Sequence, residues 1–164
     1  MMATHAATLG TLLRHLIDIL DGAVEKAYAQ AGLDYRPRFT PIMRVLLERG
    51  PSSIRSIASA AGMTHSAVSQ TVAQMVKRGL VKITTGGDAR EHIVVLTPAA
   101  KAMVPALQHQ WAATNAAVRT LDAELSAPLS DLLRETIDVL EATPFAQRIE
   151  RAAATLTQSA RQRS

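Results

Sequence analysis

SIRSIASAAGMTHSAVSQTVAQMVKRGLVKITTGGDAREHIVVL occupies residues 53–96 and decides the fold. Ser53 carries a hydroxyl that can cap a helix, and Ile54, Ile57, Ala58 and Ala61 follow at helical spacing with one inward face. Gly62 ends that helix. Thr64 caps a second, predicted over residues 64–78, and Gly79 supplies its C-terminal break. Val81-Lys82-Ile83-Thr84-Thr85 alternates inward and outward, and His92-Ile93-Val94-Val95-Leu96 does so more loosely. Gly86-Gly87-Asp88-Ala89-Arg90 lies between them, so two short strands join in a β-hairpin. Helix, tight turn, helix and hairpin make a helix-turn-helix with a wing over 82–95.

The second helix carries the chemistry. On a 3.6-residue wheel Val68, Val72, Met75 and Val76 share the face expected to be buried. Ser66, Gln70, Ala73, Gln74 and Lys77 collect opposite, with Ser69 at the margin. Gln can bridge an adenine edge, Ser can donate or accept, and Ala can touch a thymine methyl. No acidic residue stands between Thr64 and Arg78, where a carboxylate would repel phosphate. Composition alone fits an ordinary polar helix face equally well; the hairpin behind it favours DNA. Arg90 at the wing tip can reach a minor groove or a phosphate, and Asp88 can orient it by a charge-assisted hydrogen bond. As a plain surface ion pair the two would contribute only about 0–1 kcal/mol.

The flanks are helical. Leu9, Leu12, Leu13, Leu16, Ile17, Leu20, Val24 and Tyr28 form one stripe on a long helix ending near Gly32, longer than a small domain needs to cover itself. Thr40-Pro41 reads as N-cap and first helical residue, with Gly50-Pro51 as the stop. Thr97-Pro98 starts another helix, kinked at Pro105. Leu125, Leu129, Leu132, Leu133, Ile137 and Leu140 mark a further amphipathic helix. Thr143-Pro144 caps a last one, whose Arg-rich end frays. The expected organisation is a dimerisation helix over 1–36, a winged helix over 37–97 and dimerisation helices over 98–164. The fold class is mainly α, with a small β component.

Composition narrows the function. The chain has 164 residues, 48% hydrophobic and 20% charged, which suits a folded protein. It has no cysteine, so disulfides, thiolate metal sites and Cys nucleophiles are excluded. The net charge of +4 is unevenly spread. Arg55, Lys77, Arg78, Lys82 and Arg90 make the middle basic, whereas Asp122, Glu124, Asp131, Glu135, Asp138 and Glu141 make a later helix acidic. No apolar run approaches the ~18 residues of a membrane span, and no secretory leader is evident, so a cytoplasmic chain is expected. His5, His15, His65, His92 and His109 lack metal-ligand spacing. No nucleophile elbow, phosphate loop, zinc-protease or dinucleotide motif is present. Neither an enzyme nor a cofactor is expected.

Residues 37–97 resemble the winged-helix core of the MarR family of bacterial transcriptional regulators. The likeness rests on Ser53-Ile54-Arg55-Ser56-Ile57-Ala58, on Thr64-His65-Ser66-Ala67-Val68-Ser69-Gln70, on Gly79-Leu80-Val81, and on Asp88-Ala89-Arg90, which is similar to the family's Asp-any-Arg wing signature. Leu96-Thr97-Pro98 follows, with Ala100 where the family usually has Gly. The resemblance implies a homodimer on a pseudo-palindromic operator in double-stranded DNA, with half-sites about 34 Å apart. The expected DNA-contacting set is Ser53, Arg55, Thr64, His65, Ser66, Ser69, Gln70, Gln74, Lys77, Asp88 and Arg90. The resemblance also implies repression released by a small effector, such as an aromatic or phenolic acid, lodged between dimer helices and winged helix. Candidate contacts there are Arg14, His15, Tyr35, Arg38, Met43 and Trp111. The alternative is a winged helix used for protein contact or non-specific architectural binding, which would favour Lys and Arg over Gln and Ser.

Overall fold

The computed structural model describes residues 8–85 and 92–162. Two compact units are present, one ending at Thr114 and the other spanning Asn115–Ser164. In chain order the elements are α1 (Leu9–Gln30), a 3-10 turn (Pro37–Phe39), α2 (Thr40–Arg49), β1 (Ser52–Ser53), α3 (Ile54–Ala61), α4 (His65–Lys77), β2 (Val81–Thr85), β3 (His92–Leu96), α5 (Pro98–Glu124), α6 (Leu129–Ala142) and α7 (Phe145–Gln162).

In the first unit α2, α3 and α4 surround a core of Phe39, Ile42, Met43, Ile57, Val68, Val72, Met75 and Val94, each at most 1% exposed. The helix starts follow their sequence signals. Ser53 Oγ accepts from Ser56 N–H at 3.3 Å, and Thr64 Oγ1 accepts from Ala67 N–H at 3.2 Å. Each satisfies an N–H that the first turn leaves unpaired. Between them Gly62 adopts φ +63°, a left-handed conformation that turns the chain from α3 into α4.

The exit from α4 is equally specified. Leu80 N–H donates to Met75 C=O and Gly79 N–H to Val76 C=O, both at 2.9 Å. Gly79 sits at φ +68°. This is the paired closure in which the residue after a left-handed glycine packs back on the last turn, and both Met75 and Leu80 are buried. β2 and β3 then pair antiparallel from Val81↔Leu96 to Thr85↔His92. β1, too short to stand out in the sequence, adds Ser52↔Val94 and Ser53↔Ile93, giving the order β1-β3-β2. Thr97 knots the layout together. Its hydroxyl donates to Gly79 C=O at 2.6 Å and accepts from Ala100 N–H at 3.1 Å, while its N–H donates to Leu80 C=O.

Three local expectations are corrected. Thr40 does not cap α2: the 3-10 turn runs straight into the helix, Thr40 already has right-handed helical dihedrals, and its N–H donates to Pro37 C=O. Its Oγ1 instead accepts from Tyr35 OH at 3.4 Å. Val76 is not in the core but 40% exposed; Thr71 holds the buried position, its hydroxyl donating to Ala67 C=O at 2.8 Å. Ile83 is 47% exposed, so alternation in β2 brings only Val81 into the core.

An aromatic cluster holds the end of α1 to the core. Tyr28 and Tyr35 meet edge to face at 5.1 Å, and Tyr35 and Phe39 at 5.7 Å. Trp111 of α5 donates its indole N–H to Tyr28 OH at 3.1 Å. Towards its start α1 leaves this cluster, and Leu9, Leu12, Leu13, Ile17 and Leu20 are exposed. α5 continues through Pro105, which lacks the N–H that would bond the carbonyl one turn back.

In the second unit Asp122 Oδ1 accepts from Leu129 N–H at 2.9 Å, fixing the start of α6. Thr143 closes α6, and its carbonyl accepts from Arg148 Nε. No residue of α6 is buried, and Leu132, Leu133, Ile137, Val139, Phe145, Ile149 and Leu156 are exposed.

A Cβ added at Gly79 meets nothing within 4 Å, so Gly79→Ala isolates the backbone term. The variant is expected to lose about 1–2 kcal/mol, the cost of a left-handed residue carrying a Cβ. Urea unfolding checks this, and an unchanged midpoint would show that the turn relaxes freely.

Candidate nucleic-acid interface

The outward side of α4 is built by elimination. Val68, Thr71, Val72 and Met75 are buried, which fixes the helix's rotation. His65, Ser66, Gln70, Ala73 and Lys77 are thereby exposed, with Ser69 half-buried beside them. Thr64 is exposed and Ser53 half-buried at the starts of α4 and α3. Their oxygens already accept backbone N–H bonds, so each hydroxyl hydrogen remains free to donate to an anionic oxygen. Arg55 projects from the first turn of α3 and is exposed. The cap hydroxyls, the acid-free α4 face and the cations Arg55 and Lys77 belong to consecutive elements joined by the Gly62 turn. Such a set can donate to phosphates at its edges and offer amide and hydroxyl groups to base edges along the helix.

Gln74 differs from the others. Its side chain is half-buried, and Oε1 is buried with no hydrogen-bond partner among the described residues. The carbonyl end is therefore turned from solvent, and a bidentate contact through both ends of the amide is not available in this rotamer. Asp88 and Arg90 lie outside the described residues; the ladder leading to them ends at Thr85↔His92.

Arg78 was not singled out as a contact. It pairs with Asp34, and its guanidinium lies 5.9 Å from the Phe39 ring centroid. This cation, one residue beyond Lys77, is engaged with the segment between α1 and α2. Lys77 and Lys82 make no ion pair among the described residues.

The effector candidates fall into two groups. Tyr35 and Met43 are core residues, and half-buried Trp111 bonds to Tyr28 in the same aromatic cluster. Burial pushes the Tyr35 phenol well above its ordinary range, outweighing the hydrogen bond to Thr40. Arg14 and His15 lie on the exposed first half of α1. Arg38 is exposed, its guanidinium 5.8 Å from the Phe39 ring. Arg44, absent from the sequence-based set, places its guanidinium 5.0 Å over Trp111. An Arg one turn along α2 is no signal without the fold, because Trp111 is remote in sequence.

Three short helices, the third with a polar face turned outward, and a three-stranded sheet define a winged helix-turn-helix fold. Residues 40–91 match the family model described as MarR family. Among solved structures, the chain is similar to the MarR family transcriptional regulator SPO1453 of Silicibacter pomeroyi, with 25% identity, TM-score 0.59, and coverage of 82% of this chain and 96% of that one. The M. tuberculosis transcriptional regulator MOSR, solved in complex with DNA, gives 19% identity and TM-score 0.64 over 82% and 95% of the two chains. PcaV of Streptomyces coelicolor, solved with its natural ligand, gives 19% identity and TM-score 0.61 over 87% and 99%. No curated protein matches the sequence. The family and these neighbours are transcriptional regulators, not enzymes. Among the described residues no helix is long and apolar enough to cross a membrane.

Replacing Gln74 with Leu removes an unpaired buried oxygen and keeps an apolar stem. Stability is expected to hold or rise by about 1 kcal/mol, since an unsatisfied buried polar atom costs about 1–3 kcal/mol. A clear fall in thermal midpoint would show that the amide is paired.

Proposed function

We propose that the chain is a homodimeric, sequence-specific DNA-binding regulator, a repressor released by a small-molecule effector. The observation that carries this reading is the α4 face. Ser66, Gln70 and Lys77 are exposed on a helix whose opposite side is locked by Val68, Val72 and Met75, and no acid interrupts it. Gln and Ser there favour base reading over purely electrostatic attachment. The proposed contacts are Ser53, Arg55, Thr64, His65, Ser66, Ser69, Gln70 and Lys77, with Asp88 and Arg90 of the wing. Gln74 joins them only through its amide nitrogen. The DNA-bound neighbour supports the partner, and the ligand-bound neighbour supports an effector, with a small aromatic or phenolic acid as the proposed class.

Homodimerisation is supported by the uncovered apolar faces on α1 and, in the second unit, on α6 and α7. Faces of that extent rarely stay open to water in a monomer. A two-fold dimer matches a pseudo-palindrome with half-sites about 34 Å apart. A cytoplasmic location follows from such a role and is proposed with it.

The test is selection from a random duplex pool at about 150 mM salt, where free charges are screened beyond ~8 Å. An enriched pseudo-palindrome is expected. No enrichment by the folded dimer would instead favour architectural or protein-contact use of the same face. On the selected duplex, Gln70→Ala is expected to cost about 1–3 kcal/mol and to relax preference at one base position. Unchanged preference removes Gln70 from base reading.

The two neighbouring cations separate by salt dependence. Lys77→Gln is expected to reduce the slope of log K against log salt by about one, as for the loss of one phosphate contact. Arg78→Gln is expected to leave the slope unchanged, because Asp34 already neutralises that charge. Equal slopes in the two variants would overturn this division.

A further inference from the structure

A groove runs between α2 and α5 on the winged-helix unit. At one end it widens to about 420 Å³ between Leu47 of α2, Val95 of β3, and Lys101 and Val104 of α5, closed by the Gly50–Pro51 turn. The other end is marked by Arg44 and Trp111. Arg44 lies one turn before Leu47 on α2, Trp111 lies two turns beyond Val104 on α5, and the guanidinium sits 5.0 Å from the indole centroid. The two helices therefore pass in opposite directions along the groove. Lys101 to Trp111 spans about 15 Å of α5, close to three turns of a helix laid beside it.

The strip is apolar and its margins are positive. Leu47 is 38% exposed, and Val95, Val104 and Trp111 are half-buried. Lys101 and Arg44, at the two ends, are exposed. A third cation, Lys82, is the cross-strand partner of Val95, so it stands on the same face of the sheet, opposite fully buried Val94. None of the three cations is ion-paired with a described residue. No acidic side chain lines the cleft, and Glu48, the sequence neighbour of Leu47, is not in its wall. A compact ligand would meet only one of these charges. An apolar strip of this length, with cations at both ends, complements an amphipathic helix whose flanks are acidic.

We propose that this groove docks an acidic amphipathic helix of a partner protein. The helix lays its apolar side on Leu47, Val95 and Val104 and turns its carboxylates toward Lys101, Lys82 and Arg44. None of these residues belongs to the proposed DNA-contacting set, so the α4 face stays free when the groove is filled. The chain would then carry a protein partner on one surface and a duplex on another. Docking goes beyond the DNA reading and does not depend on it.

The experiment uses the full chain and two synthetic helical peptides with the same leucines at i, i+4 and i+7. One carries Glu at the polar positions and the other carries Lys. Binding is followed by anisotropy of the labelled peptide, by emission of Trp111, the chain's one tryptophan, and by methyl NMR. The Glu peptide is expected to bind once per chain, to change the Trp111 emission and to shift the methyls of Leu47, Val95 and Val104; the Lys peptide is expected to do none of these. Leu47→Asp is expected to abolish binding from an already exposed position. Lys101→Glu is expected to weaken the Glu peptide roughly tenfold, because an exposed attraction becomes a repulsion, and to let the Lys peptide gain affinity. That gain is a result a damaged groove could not give, and unfolding midpoints confirm that both variants fold. The proposal is overturned if the Glu peptide fails to bind at about 1 mM, the scale of a very weak site, if the two peptides bind alike, if Leu47→Asp binds as well as the parent, or if the shifts fall on α1 or α6 instead. Affinity for the Glu peptide that falls as protein concentration rises would put a second copy in the groove and overturns it too. Failure to select any duplex while peptide binding persists overturns the DNA reading alone.

Discussion

The Thr97 hydroxyl holds three elements at one point. It donates to the Gly79 carbonyl, where the recognition helix has just ended, and accepts from Ala100 in the first turn of α5. The same residue's N–H donates to the Leu80 carbonyl. The wing thus leaves and re-enters the body through a closed neck. Every residue placed on α4 depends on this closure, because the left-handed Gly79 turn sets where the helix stops and the Val81↔Leu96 pair sets where the hairpin begins. A recognition helix is useful only if its rotation and its distance from the wing are both fixed. Buried Val68, Val72 and Met75 fix the first, and the neck fixes the second.

The site grows from ordinary helix grammar. Thr64 and Ser53 are present because helix starts need acceptors, yet each keeps a hydroxyl hydrogen for another anion. The outward face carries what is left when the core has taken its residues. Its composition, with Gln and Ser in place of Glu, suits the base contacts proposed for it better than a purely solubilising role. Arg78 shows the opposite use of charge. Placed beside that face, it is held by Asp34 and Phe39 and ties the end of α4 to the chain segment after α1.

Much of the winged helix was legible because its signals are local. Cap hydroxyls, a glycine at each helix end and period-two alternation act within a few residues, and they located α3, α4, β2 and β3. Errors arose where the answer depended on a neighbour. Thr40 lost its cap role to a 3-10 turn made by Pro37, which no spacing rule announces. The wheel put Val76 inside and Gln74 outside, but both stand near the boundary of the buried arc, where packing and not angle decides. Thr71 was missed because a threonine that bonds its own preceding turn can be buried like a valine. Tyr35 and Met43, expected from the sequence beside an effector, are buried in the core, and aromatic and sulfur side chains alone do not show that burial. The Arg44–Trp111 stacking needs residues far apart in sequence and was not readable at all.

The second unit carries a consequence for exchange of backbone protons. A helix in water draws most of its stability from packing one face, and α6 buries no residue. Its amides are therefore protected from deuterium only while something covers Leu132, Leu133 and Ile137. If that cover is a second copy, protection of α6 becomes a property of protein concentration, rising by mass action, while the amides of β3 and α4, shielded within the first unit, keep the same rates at every dilution.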